Sequence, residues 1–573
     1  MDIFTENDAL DAETPLLDDV VQAAVNYHGF PAIRSKSGGW RSASFIISVE
    51  IAERFAYYGI TSNLINFLTG QLGQSIVTSA ENVNAWSGAA SLLPLLGAFV
   101  ADSYLGRYRT IVFASLLYIL GLGILTLAAV WPFSNSVDCH SDPTIGACTS
   151  RLQVIVFFFA LYLVAAAQGG HKPCVQAFGA DQFDVHDPKE LKERSSFFNW
   201  WYFGMCGGNL TTLLALNYIQ DNLGWGLGFG IPCIVMSLSL IIFLVGTMTY
   251  RFSSRYNEGN PFIRIGRVFV NALRNRKMNV PAVSMQEKPS GIIPRPSSQQ
   301  FKFLNKALLS PDDEKQGEKF CSINEVEDAK AVLRLIPIWS SCLVFGIVFS
   351  EPFTFFTKQG VTMDRSTSLG FEIPSASLQS FISLSVVIFI PLYDRVLVPL
   401  ARTVTMKPTG ITMLQRIGFG ILFSIICMAV AALIEAKRLE IAREFGLVDT
   451  PEATVPMSVA WLIPQYLLFG IAEVFTMVGL QEFFYDQVPR EFKSIGLSLY
   501  LSIFGVGSLL SSLMVSIIEK ASGGASRESW FSNNMNRAHL DYFYWLLAGL
   551  SVAAFMVYLY FAKSYVYSRR NFA

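Results

Sequence analysis

Twelve stretches of predominantly apolar residues run along this 573-residue chain, each close to the about 20 residues that a helix needs to cross a bilayer core about 30 Å thick. They lie near 43–70, 84–103, 109–131, 152–180, 197–219 and 227–249, then near 331–350, 371–393, 411–434, 457–485, 495–518 and 541–563. The pattern predicts an all-α multi-pass membrane protein with twelve transmembrane helices in two six-helix halves. It divides the chain into an N-terminal tail over 1–42, a first half over 43–249, a linker over 250–330, a second half over 331–563 and a C-terminal tail over 564–573.

An even number of spans puts both termini on one side. The short loops "GRYR", "DPKELKER" and "PREFK" after spans 2, 4 and 10 are basic, whereas the loop after span 1 has no Lys or Arg, so the positive-inside bias predicts cytosolic termini. Loops after spans 7, 9 and 11 also carry basic residues, so the rule is followed as a bias only. Between the halves, "RIGRVFVNALRN" has the spacing of an amphipathic helix whose basic side suits an anionic cytosolic leaflet, and "EKPSGIIPRPSSQQ" reads as a flexible piece. The simplest account of the whole segment is a linker.

Composition agrees with membrane residence: 52% of residues are hydrophobic, 15% are charged and the mean hydropathy is +0.41. A net charge of -1 with no concentrated basic domain gives nucleic acid little to bind. The eight cysteines form no ligand-spaced cluster, so no metal or other cofactor is expected; Cys139 and Cys148 flank a polar loop on the predicted outer side, where a disulfide is left open. The N-terminal segment lacks the basic start and apolar core of a signal peptide. Its "ETPLL" is only a weak sign of vacuolar sorting.

The halves echo one another. "GAFVADSYLGRYRT" after span 2 carries Asp102, Arg107 and Arg109, and "PLYDRVLVPLAR" after span 8 carries Asp394, Arg395 and Arg402. An acid at a helix end followed by basic residues in a tight loop can lock neighbouring helices through charge pairs that break when the halves rock, which makes these gating candidates. Such pseudo-symmetry favours a transporter over a channel or a membrane enzyme. No nucleophile–base arrangement or histidine cluster suggests catalysis.

Charges inside the spans are costly and therefore informative. Glu50, Glu53, Arg54, Tyr57 and Tyr58 recur on one face of span 1, which must look into protein or water. Span 4 offers Lys172 beside Pro173, and span 10 offers Glu473 deep and Glu482 nearer the cytosol. Spans 4 and 10 hold equivalent places, so a Lys172–Glu473 pair would bridge the halves. His171 is expected to pack or hydrogen-bond rather than to bind metal.

The chain resembles the plant nitrate/peptide transporter family, part of the proton-coupled oligopeptide transporters of the major facilitator superfamily. The resemblance is carried by Glu50-x-x-Glu53-Arg54-Phe55 with Tyr57, Tyr58 and Gly59, by "DSYLGRYRT", "GGHKPCVQAFGADQFD", "RLIPIW", "FEIPSAS" and "QEFF". It implies the major facilitator fold, Glu50, Glu53 and Arg54 as the proton-coupling group, and Lys172 with Glu473 as the central switch, protons being the coupling ion. Two departures bear on the substrate: Thr61 stands where similar peptide transporters carry an arginine, and Phe349 where characterised nitrate carriers have a histidine. Tyr57, Tyr58 and Phe349 are the candidate cavity walls, with Phe353, Phe355 and Phe356 as a further aromatic run. Nitrate or a related small anion is the first expectation; an organic anion, hormone, glucosinolate or small peptide is the alternative, and an uncoupled channel or sensor a third. Thr110 matches a threonine that a kinase phosphorylates in some relatives, against the plainer reading of a helix N-cap. The implied partners are a small anionic substrate and the lipid bilayer of the plasma or vacuolar membrane; homo-oligomerisation is left open.

Overall fold

A computed structural model describes residues 20–131, 151–184, 187–253, 261–276, 301–308, 321–367, 370–397, 399–400, 403, 411–451, 453–488, 493–523, 529–565 and 567. The first half contains α1 (Gly39–Thr61), α2 (Leu64–Gly70), α3 (Ile76–Val100), α4 (Arg107–Val130), α5 (Arg151–Ala180), α6 (Pro188–Thr211), α7 (Asn217–Asn222) and α8 (Trp225–Val245). The linker holds α9 (Pro261–Arg274). The second half follows with α10 (Ile323–Leu333), α11 (Ile336–Ser341), α12 (Leu343–Val348), α13 (Phe355–Val361), α14 (Ser380–Leu392), α15 (Met413–Glu444), α16 (Ile463–Asp486), α17 (Lys493–Ser522) and α18 (Leu540–Ser564). Among the described residues nine helices are long and apolar enough to cross a membrane, and a tenth span is bent by 53° between Ser341 and Leu343.

Spans 1 and 7 break at the same relative place. Span 1 interrupts at Ser62–Asn63 before the seven-residue α2, and span 7 interrupts at Phe349–Thr354 before the seven-residue α13. A π-helical turn ends span 2 at Ala101–Leu105 and another ends span 8 at Tyr393–Leu397, so the echoed "ADSYL" and "YDRVL" segments share a backbone irregularity. Helix starts are set by local chemistry. Ser75 accepts from the Thr78 amide, and Ser322 and Thr412 form reciprocal capping boxes with Glu325 and Gln415.

Glycine lets helices approach closely within each half. A Cβ on Gly97 would overlap the Gly169 carbonyl oxygen, and one on Gly169 would lie 2.7 Å from Leu93 Cβ, so spans 2 and 4 touch backbone to backbone. In the second half Gly346 and Gly507 do the same for spans 7 and 11.

The tail and linker are more structured than the hydropathy pattern suggested. β1 (Val20–Val25) pairs antiparallel with β2 (Pro31–Ile33) and with β3 (Phe252–Ser253), tying the N-terminal segment to the linker's first residues. Arg251, 2% exposed, donates to Glu190 at 2.6 and 3.1 Å, while Arg34 reaches Asp184 at 2.8 Å and Glu190 at 3.3 Å. The amphipathic α9 buries Val268 and Ala272 against Leu304, Ala307, Val326 and Ala329, giving the linker a small core of its own. The "EKPSGIIPRPSSQQ" piece and Cys139 and Cys148 lie outside the described residues.

Gly97→Ala is expected to lower thermal stability in detergent, because overpacking a tight helix contact costs about 1–3 kcal/mol. Gly123→Ala, whose Cβ meets nothing within 4 Å, serves as the control and is expected to leave the melting temperature unchanged or slightly raised.

Candidate functional site

The helical repeat of α1 puts Glu50, Glu53, Arg54 and Tyr57 on one inward face, and the structure brings them into one ionic cluster. Arg54 Nε donates to Glu50 Oε1 at 2.9 Å, and Arg54 Nη2 lies 2.7 Å from Glu53 Oε2. Glu50, Glu53 and Arg54 are 4%, 0% and 5% exposed. Two carboxylates therefore share one guanidinium, leaving a site whose charge balance changes when a single proton binds. Tyr57 stacks on Trp86 with ring centroids 5.6 Å apart, and the Trp86 indole donates to the Leu161 carbonyl at 2.8 Å, which fixes the ring beside Arg54.

Lys172 comes from α5, one turn after the Gly169–Gly170 contact and next to Pro173. It is half-buried, and Arg54, Glu53 and Glu50 are the charges that act on it. Glu473 comes from α16 in the other half, also half-buried, with Tyr58 and Tyr500 in its electrostatic reach. Lys172 and Glu473 form no ion pair within 4 Å in this conformation, so the expected bridge between the halves is open here. His171 is fully buried, neither ring nitrogen is bonded, and its ring stands edge-on to Tyr118 at 6.4 Å. Among the described residues no cluster of His, Cys, Asp and Glu is placed to hold a metal.

Phe349 joins an aromatic wall on the second half. Its ring lies 4.8 Å from Phe504 and 6.0 Å from both Phe353 and Phe469, and Phe353 reaches Tyr58 of the first half at 6.5 Å. Phe355 and Phe356 point elsewhere: Phe355 stacks on Phe531 at 4.9 Å, and Phe356 packs on Tyr466 and Tyr544 inside the second half. They are core residues. Thr61 is 2% exposed and donates to the Tyr57 carbonyl.

The other candidates lie at the linker end. Asp102, Asp394 and Arg395 sit in the two π turns, and their side chains, like all of Arg402, lie outside the described residues. Arg107 is ion-paired with Asp181, at the end of span 4, and Arg109 is exposed. Glu482 is exposed and 3.8 Å from Arg416, whose guanidinium covers the Tyr393 ring. Thr110 is not the N-cap, which is Gly106. It sits inside the first turn of α4, 5% exposed, with its hydroxyl donating to the Gly106 carbonyl at 2.9 Å.

Sequence reasoning missed a second polar cluster inside the second half. Arg438 donates to both Glu435 oxygens at 2.7 and 2.9 Å and to Asn536 at 2.8 Å, and Gln359 donates to Glu435 at 2.8 Å. Glu351 is also fully buried. These residues fall just beyond the apolar stretches of spans 7 and 9, where a hydropathy reading stops.

The described side-chain and backbone hydrogen bonds between the halves run from mid-span to the end away from the linker. Ser377 donates to the Leu213 carbonyl at 2.7 Å, Gln379 to the Ser62 carbonyl at 3.0 Å, Asn84 to Ser511 at 3.0 Å and the Ile76 amide to Asn533 at 3.0 Å. The halves are thus joined at one end, with the charged centre between them.

Two six-span halves around a buried ionic centre define a secondary transporter of the major facilitator class. The chain belongs to the POT family, whose model matches residues 108–531, and it is a proton-coupled transporter of a small solute. It is 63% identical over 559 residues to Arabidopsis thaliana protein NRT1/PTR family 5.10, covering 98% of each chain, and 55% identical over 560 residues to family 5.14 of the same plant, covering 97% of this chain and 99% of that one. Its fold is similar to the crystal structure of an auto-inhibited POT family peptide transporter, with a TM-score of 0.70 at 22% identity, over 93% of this chain and 99% of the other.

Arg54→Ala is expected to destabilise the protein by about 3–5 kcal/mol, because it strands two buried carboxylates. Adding Glu50→Gln and Glu53→Gln should recover most of the loss, read as melting temperature in detergent.

Proposed function

We propose that this chain is a proton-coupled symporter of an organic anion with a ring-sized apolar body, working by alternating access with both termini and the linker in the cytosol. The observation that carries the reading is the aromatic contact across the halves: Phe349 and Phe353 of the second meet Tyr58 of the first, one turn beyond Arg54 on α1, and Arg54 is among the charges that act on Lys172. Aromatic faces accept a flat apolar body, and a guanidinium and an ammonium accept its carboxylate or sulfate. Nitrate would use the cations but not the wall, and Phe349 offers it no donor. Thr61, turned onto its own helix, gives a peptide carboxylate no arginine.

In this reading Glu53 or Glu50 takes the coupling proton, loosening Arg54 from one carboxylate. Lys172 and Glu473, unpaired here, meet when the linker end closes. The basic loops at that end support the cytosolic placement. Whether the protein sits in the plasma or the vacuolar membrane decides whether the same coupling fills the cell or empties the vacuole.

The test is an uptake screen of the expressed protein at acidic external pH with nitrate, dipeptides, glucosinolates and carboxylated hormones, combined with electrical recording. Saturable accumulation of a ring-bearing organic anion, abolished by a protonophore, is the expected result; nitrate accumulation with no organic anion taken up would reject the assignment. For the accepted anion, Phe349→Ala should raise KM about tenfold, as losing an aromatic contact of roughly 1.4 kcal/mol implies.

Glu53→Gln is expected to abolish accumulation against a gradient while substrate counterflow persists. Normal accumulation by this variant across the same pH gradient and voltage would remove Glu53 from the coupling group.

A further inference from the structure

The two short helices after the breaks in spans 1 and 7 face each other at the end away from the linker. One residue from the second half, Lys358 on α13, crosses between them. Its Nζ donates to Thr69 Oγ1 at 2.7 Å and to Asn66 Oδ1 at 3.4 Å, both on α2. Asn66 Nδ2 in turn donates to Asn63 Oδ1 at 2.7 Å and to Ser375 Oγ at 3.2 Å. Asn63 Nδ2 then donates to Asp221 Oδ1 at 2.8 Å and to Gln220 Oε1 at 3.2 Å.

The result is a directed chain. An ammonium, two carboxamides and a carboxylate are linked so that each amide accepts on the lysine side and donates on the aspartate side, and every dipole reinforces the next. Lys358 makes no ion pair within 4 Å, and Asp221 is the charge that acts on it. The other charged group acting on Asp221 is Arg365, which is held by Glu372 at 2.9 Å.

We propose that Lys358 and Asp221, joined through the side chains of Asn66 and Asn63, form the latch that holds the two halves shut at the end away from the linker. The network crosses between the halves from Lys358 to Asn66 and Thr69 and from Asn66 to Ser375, so parting the halves breaks it there and leaves the Asn66–Asn63–Asp221 segment intact within the first half. The latch groups exposed by parting, Lys358, Thr69, Asn66 and Ser375, are polar and readily hydrated, which suits a contact made and broken on every cycle. The helix breaks at Asn63 and Thr354 let α2 and α13 swing without dragging the long parts of spans 1 and 7. Lys358 is thus a positioning residue acting through the equilibrium between conformations, distinct from the proton-coupling cluster on α1.

The experiment measures distances across that end by pulsed electron resonance in the full-length transporter in nanodiscs. Spin labels are carried on a ketone-bearing amino acid at Leu223 and Phe445, both exposed, which leaves the eight native cysteines unlabelled. Lys358→Met and Asn66→Ala are each expected to raise the share of the longer-distance population at least threefold. Lys358→Arg should return it towards the parent value. A role confined to stability would lower the melting temperature of these variants without moving the distance distribution. If Lys358→Met and Asn66→Ala both keep the parent distribution, the latch is overturned. Should Lys358→Met yield too little protein, Asn66→Ala decides alone, since it removes the relay and its bond to Ser375 while leaving Lys358 and Thr69 in place.

Discussion

Burying two carboxylates and a guanidinium inside a chain built to sit in hydrocarbon is the constraint from which the rest of the architecture follows. Such groups survive there only when enclosed by protein and by one another. Span 1 is accordingly wrapped by spans 4, 5 and 6, and the glycine contacts between spans 2 and 4 keep that enclosure tight. The ionic cluster lies wholly on one helix, so its geometry does not depend on how the halves are arranged.

The division of labour between the halves then becomes physical. In the proposed cycle the first half supplies the charge that can change, and the second supplies Glu473, the aromatic wall and Lys358, so neither half alone would hold a complete site. The two are sealed by polar bonds at one end, while Lys172 and Glu473 stay apart in the middle. Buried polar bonds join the halves at that end, and spans 2 and 11 pack closely beside them, with Gly88 against Gly505 and Leu509.

The spans were legible because hydropathy is a repeated signal that tolerates error in any one residue. The α1 face was legible too, since residues spaced by three and four positions must share a side of a helix. Pairing across the halves was not: Lys172 and Glu473 are readable as a compatible pair, but their separation is a property of conformation. Thr110 read as a cap because threonine caps often, yet Gly106 has the positive backbone angle, φ 79°, that starts α4, and it moves Thr110 into the helix. Lys358, Glu351, Glu435 and Arg438 escaped notice because they sit where a span changes from a lipid-facing helix to a protein-covered one. A window that looks for apolar runs discards such residues at its edge. The β-pairing of the N-terminal segment was equally hidden, since its partner lies more than two hundred residues away.

The ninth span carries one more consequence. At 32 residues α15 is about 48 Å long, well beyond a hydrocarbon core of about 30 Å, and its last turns hold Glu435 and Arg438 in a covering made with Asn536 and Gln359. One face of the excess length, with Glu435, Arg438, Leu439 and Ala442, is covered by protein, while Lys437, Glu440, Arg443 and Glu444 are exposed. The buried Glu435–Arg438 pair thus fastens the far part of span 9 to Asn536 ahead of span 12 and to Gln359 after the break in span 7, so three segments far apart in the chain are held to one another beyond their apolar stretches.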